Sequence, residues 1–314
     1  MTETTKTVFE KYEVRKTKKQ KNAFIDYVKS VAETQGYEFR TEKGYLGAKN
    51  IVVGDPDKAR VVYTAHYDTC AVLPFPNFIT PKNIWIYLLY QIAVCALLMF
   101  LPLYALGFAI GSVAAMMEAD IFALTPFFDL LEYALLIGIL VLLVAGPANK
   151  HTANDNTSGV TVLLDLMTAM PTEERSKAAF VFFDLEEAGL FGSAGFASKH
   201  KNSMKDKLLV NFDCVSDGEN MIFAVNKKAQ KYVDPLSEAF ADSGDISVEI
   251  ASKGIFYPSD QANFPCGVGV AACRKKRGIL YLGRIHTPRD TVYEQKNIDF
   301  LVAGSLNLTK NIKE

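Results

Sequence analysis

The chain has 314 residues, of which 49% are hydrophobic and 22% charged, and a formal net charge of −1. That length accommodates one large domain with apolar sequence to spare, and the near-neutral balance argues against a nucleic-acid or polyacidic partner. Five cysteines (Cys70, Cys95, Cys214, Cys266 and Cys273) are scattered singly without a CxxC pair, a pattern of reduced thiols rather than of a disulfide framework.

The N-terminal stretch MTETTKTVFEKYEVRKTKK is polar and basic and has no apolar h-region, so no cleaved secretory signal is expected. Its cationic run from Lys11 to Lys21 reads as a solvated helix face, with contact to an anionic membrane surface as the alternative. A basic amphipathic helix is expected over about residues 17–36. NIVVGDPDKARVVYTAH then reads as a hairpin that turns at Gly-Asp-Pro-Asp, with the wholly apolar RVVYTA as its second strand.

The composition changes abruptly after residue 82. No Lys or Arg occurs between Lys82 and Lys150, and residues 83–117 carry no charge of either sign. IWIYLLYQIAVCALLMFLPLYAL (residues 84–106) and FFDLLEYALLIGILVLLVAG (residues 127–146) are each about the ~20 apolar residues that cross a bilayer. Two transmembrane helices are expected, joined by a short acidic tip around Glu118 and Asp120. Asp129 and Glu132 then fall near an interface, where carboxylates cost less than at mid-bilayer. A buried hairpin inside a large soluble core is the alternative.

Beyond the insert, SGVTVLLDLMTAM reads as a helix, KAAFVFFDL as a strand, AGLFGSAGFASKH as a helix and KLLVNFDCV as a strand. Continuous apolar strands separated by helices indicate an α/β fold: a mixed, mostly parallel central sheet with helices on both faces. The catalytic domain is then discontinuous (residues 1–82 and 148–314), with residues 83–147 as a helical hairpin insertion. Polar groups gather at the strand ends: His66 and Asp68 after RVVYTA, Glu186 and Glu187 after AAFVFFDL, and Asp213 after LLVNF. In open α/β sheets the ligand crevice lies outside the carboxyl ends of the strands, so these groups converge. Histidine and carboxylates without a cysteine suit a divalent metal, zinc first. Asp155 and His286 bring the set to two histidines and three carboxylates, a number better suited to two metals than to one. Taken singly, Asp155 could instead cap the helix that starts near Ser158, and Glu186 and Glu187 could complement a helix dipole.

HYDT (66–69), NDNTSG (154–159), FFDLEEAGLFGS (182–193), NFDCVSDG (211–218), YPSDQANF (257–264) and HTPRDT (286–291) occur in an order that resembles the co-catalytic zinc aminopeptidase family, which includes glutamate carboxypeptidase and is related to glutaminyl cyclases. The resemblance covers roughly residues 20–82 and 148–310. It implies two zinc ions bridged by Asp155, one completed by His66 and Asp213 and the other by Glu187 and His286. It also implies Glu186 as general base toward a metal-bridging water, with Asp68 holding the His66 imidazole by its second nitrogen. Similar proteins keep the peptide bond after the bridging aspartate cis, here Asp155–Asn156. Tyr257, Ser259, Asp260 and Gln261 are expected to line the substrate pocket, although the family often has histidine where Gln261 stands. Asp184 is read as structural, His151 and His200 as solvated, Cys266 and Cys273 as small core residues, and Asp290 and Thr291 as organisers of the loop carrying His286.

His66 and Asp155 flank the insert and must meet, so the chain has to leave and re-enter the bilayer on the same side, which two spans satisfy. Lys82 and Lys150 flank the spans on the catalytic side and the expected tip is acidic, which places that domain in the cytoplasm. The expectation is a membrane-anchored zinc exopeptidase, an aminopeptidase, acting on peptides at or near the lipid bilayer. A non-enzymatic binding module on the same fold, and a carboxypeptidase or glutaminyl cyclase-like variant of the metal site, stand as alternatives.

Overall fold

The computed structural model describes residues 1–117 and 125–312. Its strands are β1 (Phe39–Lys43), β2 (Lys49–Val53), β3 (Val61–His66), β4 (Ala178–Phe183), β5 (Leu208–Phe212), β6 (Asn220–Val225), β7 (Ser247–Ala251), β8 (Gly267–Lys276) and β9 (Ile279–Tyr281). Its helices are α1 (Glu3–Tyr12), α2 (Lys18–Thr34), α3 (Ile84–Met116), α4 (Thr125–Ala145), α5 (Gly159–Ala169), α6 (Phe191–Lys199), α7 (Val233–Ala239) and α8 (Gln295–Asn311). The strands form one mixed sheet in the order β1-β2-β4-β3-β5-β8-β6-β7, with β9 paired to β8. The expected α/β architecture is present.

Strand alternation separates two cores. Phe180 and Phe182 of β4 face a large cluster with residues of α1, α2, α5, α7 and α8. Ala179, Val181 and Phe183 face a smaller one with Phe196 of α6 and Phe264. Every residue of β3, β4 and β5 is buried, which explains why these strands are mostly apolar instead of alternating; Thr64 of β3 and Asn211 of β5 satisfy each other by a hydrogen bond at 2.8 Å.

β2 and β3 do not form the expected hairpin. β4 lies between them, antiparallel to β2 and parallel to β3. A strand buried on both faces takes a central place with two neighbours, so the Gly-Asp-Pro-Asp segment is a crossover. The hairpin is instead β1–β2, closed by the Gly44 N–H donating to the Ala48 carbonyl at 2.9 Å, with Gly47 at φ +82°.

At the N-terminus α1 forms where only a polar, basic stretch was evident; Thr2 caps it by accepting the Thr5 N–H at 3.0 Å. The run from Lys11 to Lys21 is not a uniformly solvated face. It passes between α1 and α2, and Arg15 within it is fully buried.

α3 and α4 are long and apolar enough to cross a membrane. Leu89, Phe100 and Leu140 are each about two-thirds exposed, and among the described residues Ala114 alone is buried along these two helices. α3 continues ten residues past the expected end at residue 106, because no charge or strong breaker follows and Pro102 does not end it. At ~1.5 Å per residue it is about 50 Å long, well beyond the ~30 Å hydrocarbon core. The expected acidic tip at Glu118 and Asp120 lies outside the described residues. The base of the hairpin is tied to the α/β domain. Tyr90 Oη donates to the Pro76 carbonyl at 2.6 Å, Lys16 Nζ donates to the Val144 carbonyl at 2.7 Å, and Ala71 forms a bridge with Ala148.

Candidate metal centre

β4, β3 and β5 are adjacent and parallel, so their carboxyl ends open at one edge of the sheet. His66 closes β3, Glu186 and Glu187 follow β4, and Asp213 follows β5. Asp155 arrives from the segment before α5, where Gly159 makes the approach possible: a Cβ there would lie 2.2 Å from the Phe212 carbonyl oxygen. Asn156 completes the seam, donating to the Phe212 carbonyl at 2.9 Å and accepting the Gly159 N–H at 3.0 Å. The Asp155–Asn156 peptide is cis, as the resemblance implies. His286 sits on the loop after β9 with φ +63°.

Asp155 divides its two oxygens between the histidines. Oδ1 lies 3.3 Å from His66 Nε2 and Oδ2 lies 3.2 Å from His286 Nε2. Asp213 Oδ1 is 3.5 Å from His66 Nε2, and Glu187 Oε2 is 3.2 Å from His286 Nε2. The structure thus brings the five expected ligand side chains near one another, with Asp155 facing both histidines; the sets whose donor atoms all lie close together pair Asp155 with His66 and Asp213, and Glu187 and His286 with Cys70. Asp213 Oδ1 and Glu187 Oε1 are buried and lack a hydrogen-bond partner among the described residues. Donor atoms of His66, Asp155 and Asp213 lie within 4.8 Å of one another, as do those of His66, Glu186 and Glu187.

Electrostatics point to the same kind of site. Burial, reinforced by neighbouring carboxylates, pushes Glu186 and Glu187 well above the usual carboxylate range. Burial would depress His66, but Glu186, Asp155 and Asp213 outweigh it and raise it well above its ordinary value. Burial would likewise raise Asp155, yet His286 and His66 hold it below the usual range. So many buried carboxylates can all ionise only beside cations. The orphaned oxygens and the nitrogen and oxygen donor set fit divalent metal.

Supporting contacts differ in part from expectation. His66 Nδ1 is 3.1 Å from the main-chain carbonyl of Asp68 and 3.6 Å from its carboxylate. That carboxylate also accepts the Glu186 N–H at 3.1 Å and the Glu187 N–H at 3.3 Å, so it ties the end of β3 to the end of β4. Asp290, expected to organise its own loop, accepts the N–H groups of Asn154 and Asp155. Tyr257 Oη donates to the Asp213 carbonyl at 3.0 Å. Ser259 and Gln261 both accept from Asn211 Nδ2, and Gln261 also donates to the Tyr257 carbonyl. Three of the four residues expected at the substrate thus commit polar atoms to the interior. Asp260, the fourth, is buried without a hydrogen-bond partner among the described residues, and burial pushes it up to about 7.

Two residues near the centre were not anticipated. Arg15 Nε donates to the Tyr67 carbonyl at 2.6 Å, and its Nη1 reaches Thr157 Oγ1 at 3.2 Å. It therefore sits beneath both the HYDT and NDNTSG segments. Arg15 is the one arginine in an otherwise lysine-based run, and a fork of donors suits a buried multidentate role that lysine cannot fill. Cys70 is the other: its sulfur lies within 4.8 Å of donor atoms of Glu187 and His286, so a cysteine does stand among the histidines and acids. His200 is not solvated. It is buried, lies 2.8 Å from Asp57 and 3.0 Å from Glu42, and stacks on Phe196. His151 is exposed, and Asp184 pairs with Lys21 at 2.5 Å and accepts the Lys49 N–H.

A cavity of about 650 Å³ adjoins the centre, lined by Glu187 and Asp68 on one side, by Leu142 and Val144 at the end of α4 on the other, and by Lys16 and Lys21.

A family model, that of peptidase family M28, matches residues 138–303. The chain belongs to peptidase family M28. Among solved structures, this M28 chain is similar to the LapA aminopeptidase of Legionella pneumophila (13% identity, 98% of this chain and 69% of that one, TM-score 0.54). It is also similar to a Bacteroides thetaiotaomicron glutaminyl cyclase bound to N-acetylhistamine (16% identity, 98% and 96%, TM-score 0.57). A third is a leucine aminopeptidase precursor from the same organism (15% identity, 98% and 95%, TM-score 0.54). At these identities the likeness is one of fold. Among curated proteins no sequence matches this chain.

Proposed function

We propose that this M28 metallopeptidase is a membrane-anchored di-zinc exopeptidase that removes residues from the free amino end of peptides. The observation that carries the reading is Asp155 set between two histidines, one oxygen toward each. His66, Asp155 and Asp213 would hold one zinc ion, and Asp155, Glu187 and His286 the other. Bound there, the two ions would polarise the substrate carbonyl and lower the pKa of a water. The remaining work falls to the chain. Glu186 receives the proton of the water that attacks the carbonyl and passes it to the leaving amine nitrogen, a transfer worth about 10²- to 10⁴-fold in rate. Asp68 positions Glu186 through its main-chain N–H. Asp155 and Asp213 are steadied in turn by Asp290 and Tyr257.

In this reading α3 and α4 anchor the catalytic domain, residues 1–82 and 148–314, to the bilayer, with the hairpin as residues 83–147. Lys82 and Lys150 at its base favour a cytoplasmic domain. The cavity running from Glu187 to the end of α4 supports a peptide substrate delivered at the membrane surface. A second reading, cyclisation of amino-terminal glutamine, is favoured by the glutaminyl cyclase among the fold relatives.

Purified full chain in detergent, assayed for bound metal and for turnover of free and N-acetylated peptides, separates these readings. Two metals with cleavage lost on acetylation support the aminopeptidase. Equal cleavage of both peptides overturns it, and release of ammonia from glutamine-initiated peptides without cleavage establishes the cyclase.

A further inference from the structure

The two groups of donors are not alike. Beside Glu187 and His286 stands a thiol: the sulfur of Cys70, a carboxylate oxygen of Glu187 and a ring nitrogen of His286 all lie within 4.8 Å of one another. Cys70 is buried and forms no disulfide. The Glu187 side chain is more than nine-tenths buried, and its Oε1 has no hydrogen-bond partner among the described residues. Glu187 therefore offers two acceptor oxygens beside the thiol and the imidazole, Oε2 at 3.2 Å from His286 Nε2 and Oε1 without a hydrogen-bond partner among the described residues.

The thiol is held there by its neighbours. The Cys70 carbonyl accepts the Asn149 N–H at 3.1 Å, Val72 N–H donates to the Pro147 carbonyl at 2.8 Å, and Leu73 N–H donates to the carbonyl of His286 itself at 2.8 Å. The strands of chain that carry the sulfur and the imidazole are thus stitched together, and a bridge between Ala71 and Ala148 fixes the same stretch to the base of the apolar hairpin. Around the other group, His66, Asp155 and Asp213, the donors are nitrogen and oxygen only.

We propose that Cys70 is a sulfur ligand to the cation held by Glu187 and His286, which makes the centre asymmetric: one half with sulfur, nitrogen and oxygen donors, the other with nitrogen and oxygen. This inference rests on the two-metal reading above. On binding, the Cys70 S–H bond breaks, its proton passes to solvent, and a sulfur–metal bond forms. A thiolate donor favours zinc or cobalt over magnesium or manganese, so the two halves differ in metal preference.

Cobalt(II) tests this without relying on activity. Metal-free full chain in detergent, titrated with cobalt(II), is expected to bind two ions and to develop a sulfur-to-cobalt charge-transfer band in the near ultraviolet. Cys70→Ser loses that band and keeps the weaker visible bands of the ion, with one of the two equivalents bound about 10-fold more weakly. Cys214→Ser, which alters the thiol next to Asp213, keeps the charge-transfer band. Two bound cobalt ions with no such band in the parent protein overturn the proposal and leave the two-metal reading standing, and this result needs no variant to fold. A band that survives Cys70→Ser overturns it equally. Failure to bind cobalt at all removes both the proposal and the reading beneath it.

Discussion

Asp290 grips the backbone of Asp155: its Oδ2 accepts the Asp155 N–H at 3.0 Å, while its Oδ1 takes that of Asn154 at 2.9 Å. The carboxylate that faces both histidines is therefore oriented from behind by another carboxylate. Groups that orient metal ligands typically matter about 10- to 100-fold to metal affinity. Asp290→Ala is expected to weaken metal binding by that factor, measured by competition with a chelator. Unchanged affinity would show that the clamp only shapes the loop.

Glu186 has a different expected signature. It shares its neighbourhood with Glu187, but only Glu187 lies 3.2 Å from His286. Glu186→Gln is expected to lower kcat by about 10²- to 10⁴-fold with metal content unaltered. Loss of metal along with activity would assign Glu186 to binding instead.

Arg15 is fully buried, donates to four oxygens and lies 5.4 Å from the centre of the Phe24 ring. Burial pushes it down to about 10, opposed first by Asp68, so it remains charged at neutral pH. Removing it leaves buried carbonyl acceptors unpaired, at a cost of about 1–3 kcal/mol for each. Arg15→Ala should therefore lower the unfolding midpoint sharply, and Arg15→Lys should recover little because an ammonium cannot reproduce the fork. A midpoint within error of the parent would contradict this role.

Asp165 supplies a pH dependence outside the centre. Burial raises its carboxyl from 3.8 to about 6, more than the hydroxyls of Thr2 and Thr5 offset. The native state therefore holds this proton more tightly than the unfolded chain. The stabilisation is complete below about pH 4 and is lost as pH rises through about 6, costing about 2–3 kcal/mol at neutral pH. Asp165→Asn should be the more stable protein at pH 7.5, with the difference vanishing toward pH 4. A difference independent of pH would refute the assignment.

What could be read from the linear chain were the features that reside in local pattern. The largely apolar β3, β4 and β5 announced a sheet covered on both faces, because a strand buried on two sides shows no alternation of polar and apolar positions. Residues 83–117, without a charge, announced an apolar hairpin, because neither a soluble surface nor a helix stop can be made from them. The ligand residues were visible because each follows a strand, and adjacent parallel strands deliver their ends to one edge.

Tertiary structure alone decided the rest. That β4 separates β2 from β3 depends on which strand needs two neighbours, a competition among distant segments that the Gly-Asp-Pro-Asp turn does not encode. That Arg15 lies in the core, and that His200 sits between Asp57 and Glu42, depends on partners far along the sequence. Cys70 looked like one of five scattered thiols. It stands beside Glu187 and His286 because the chain after β3 is hydrogen-bonded to the loop that carries His286, a contact between segments more than two hundred residues apart. Local pattern records what a residue's immediate surroundings demand, whereas the company a polar side chain keeps is settled only when the whole sheet closes around it.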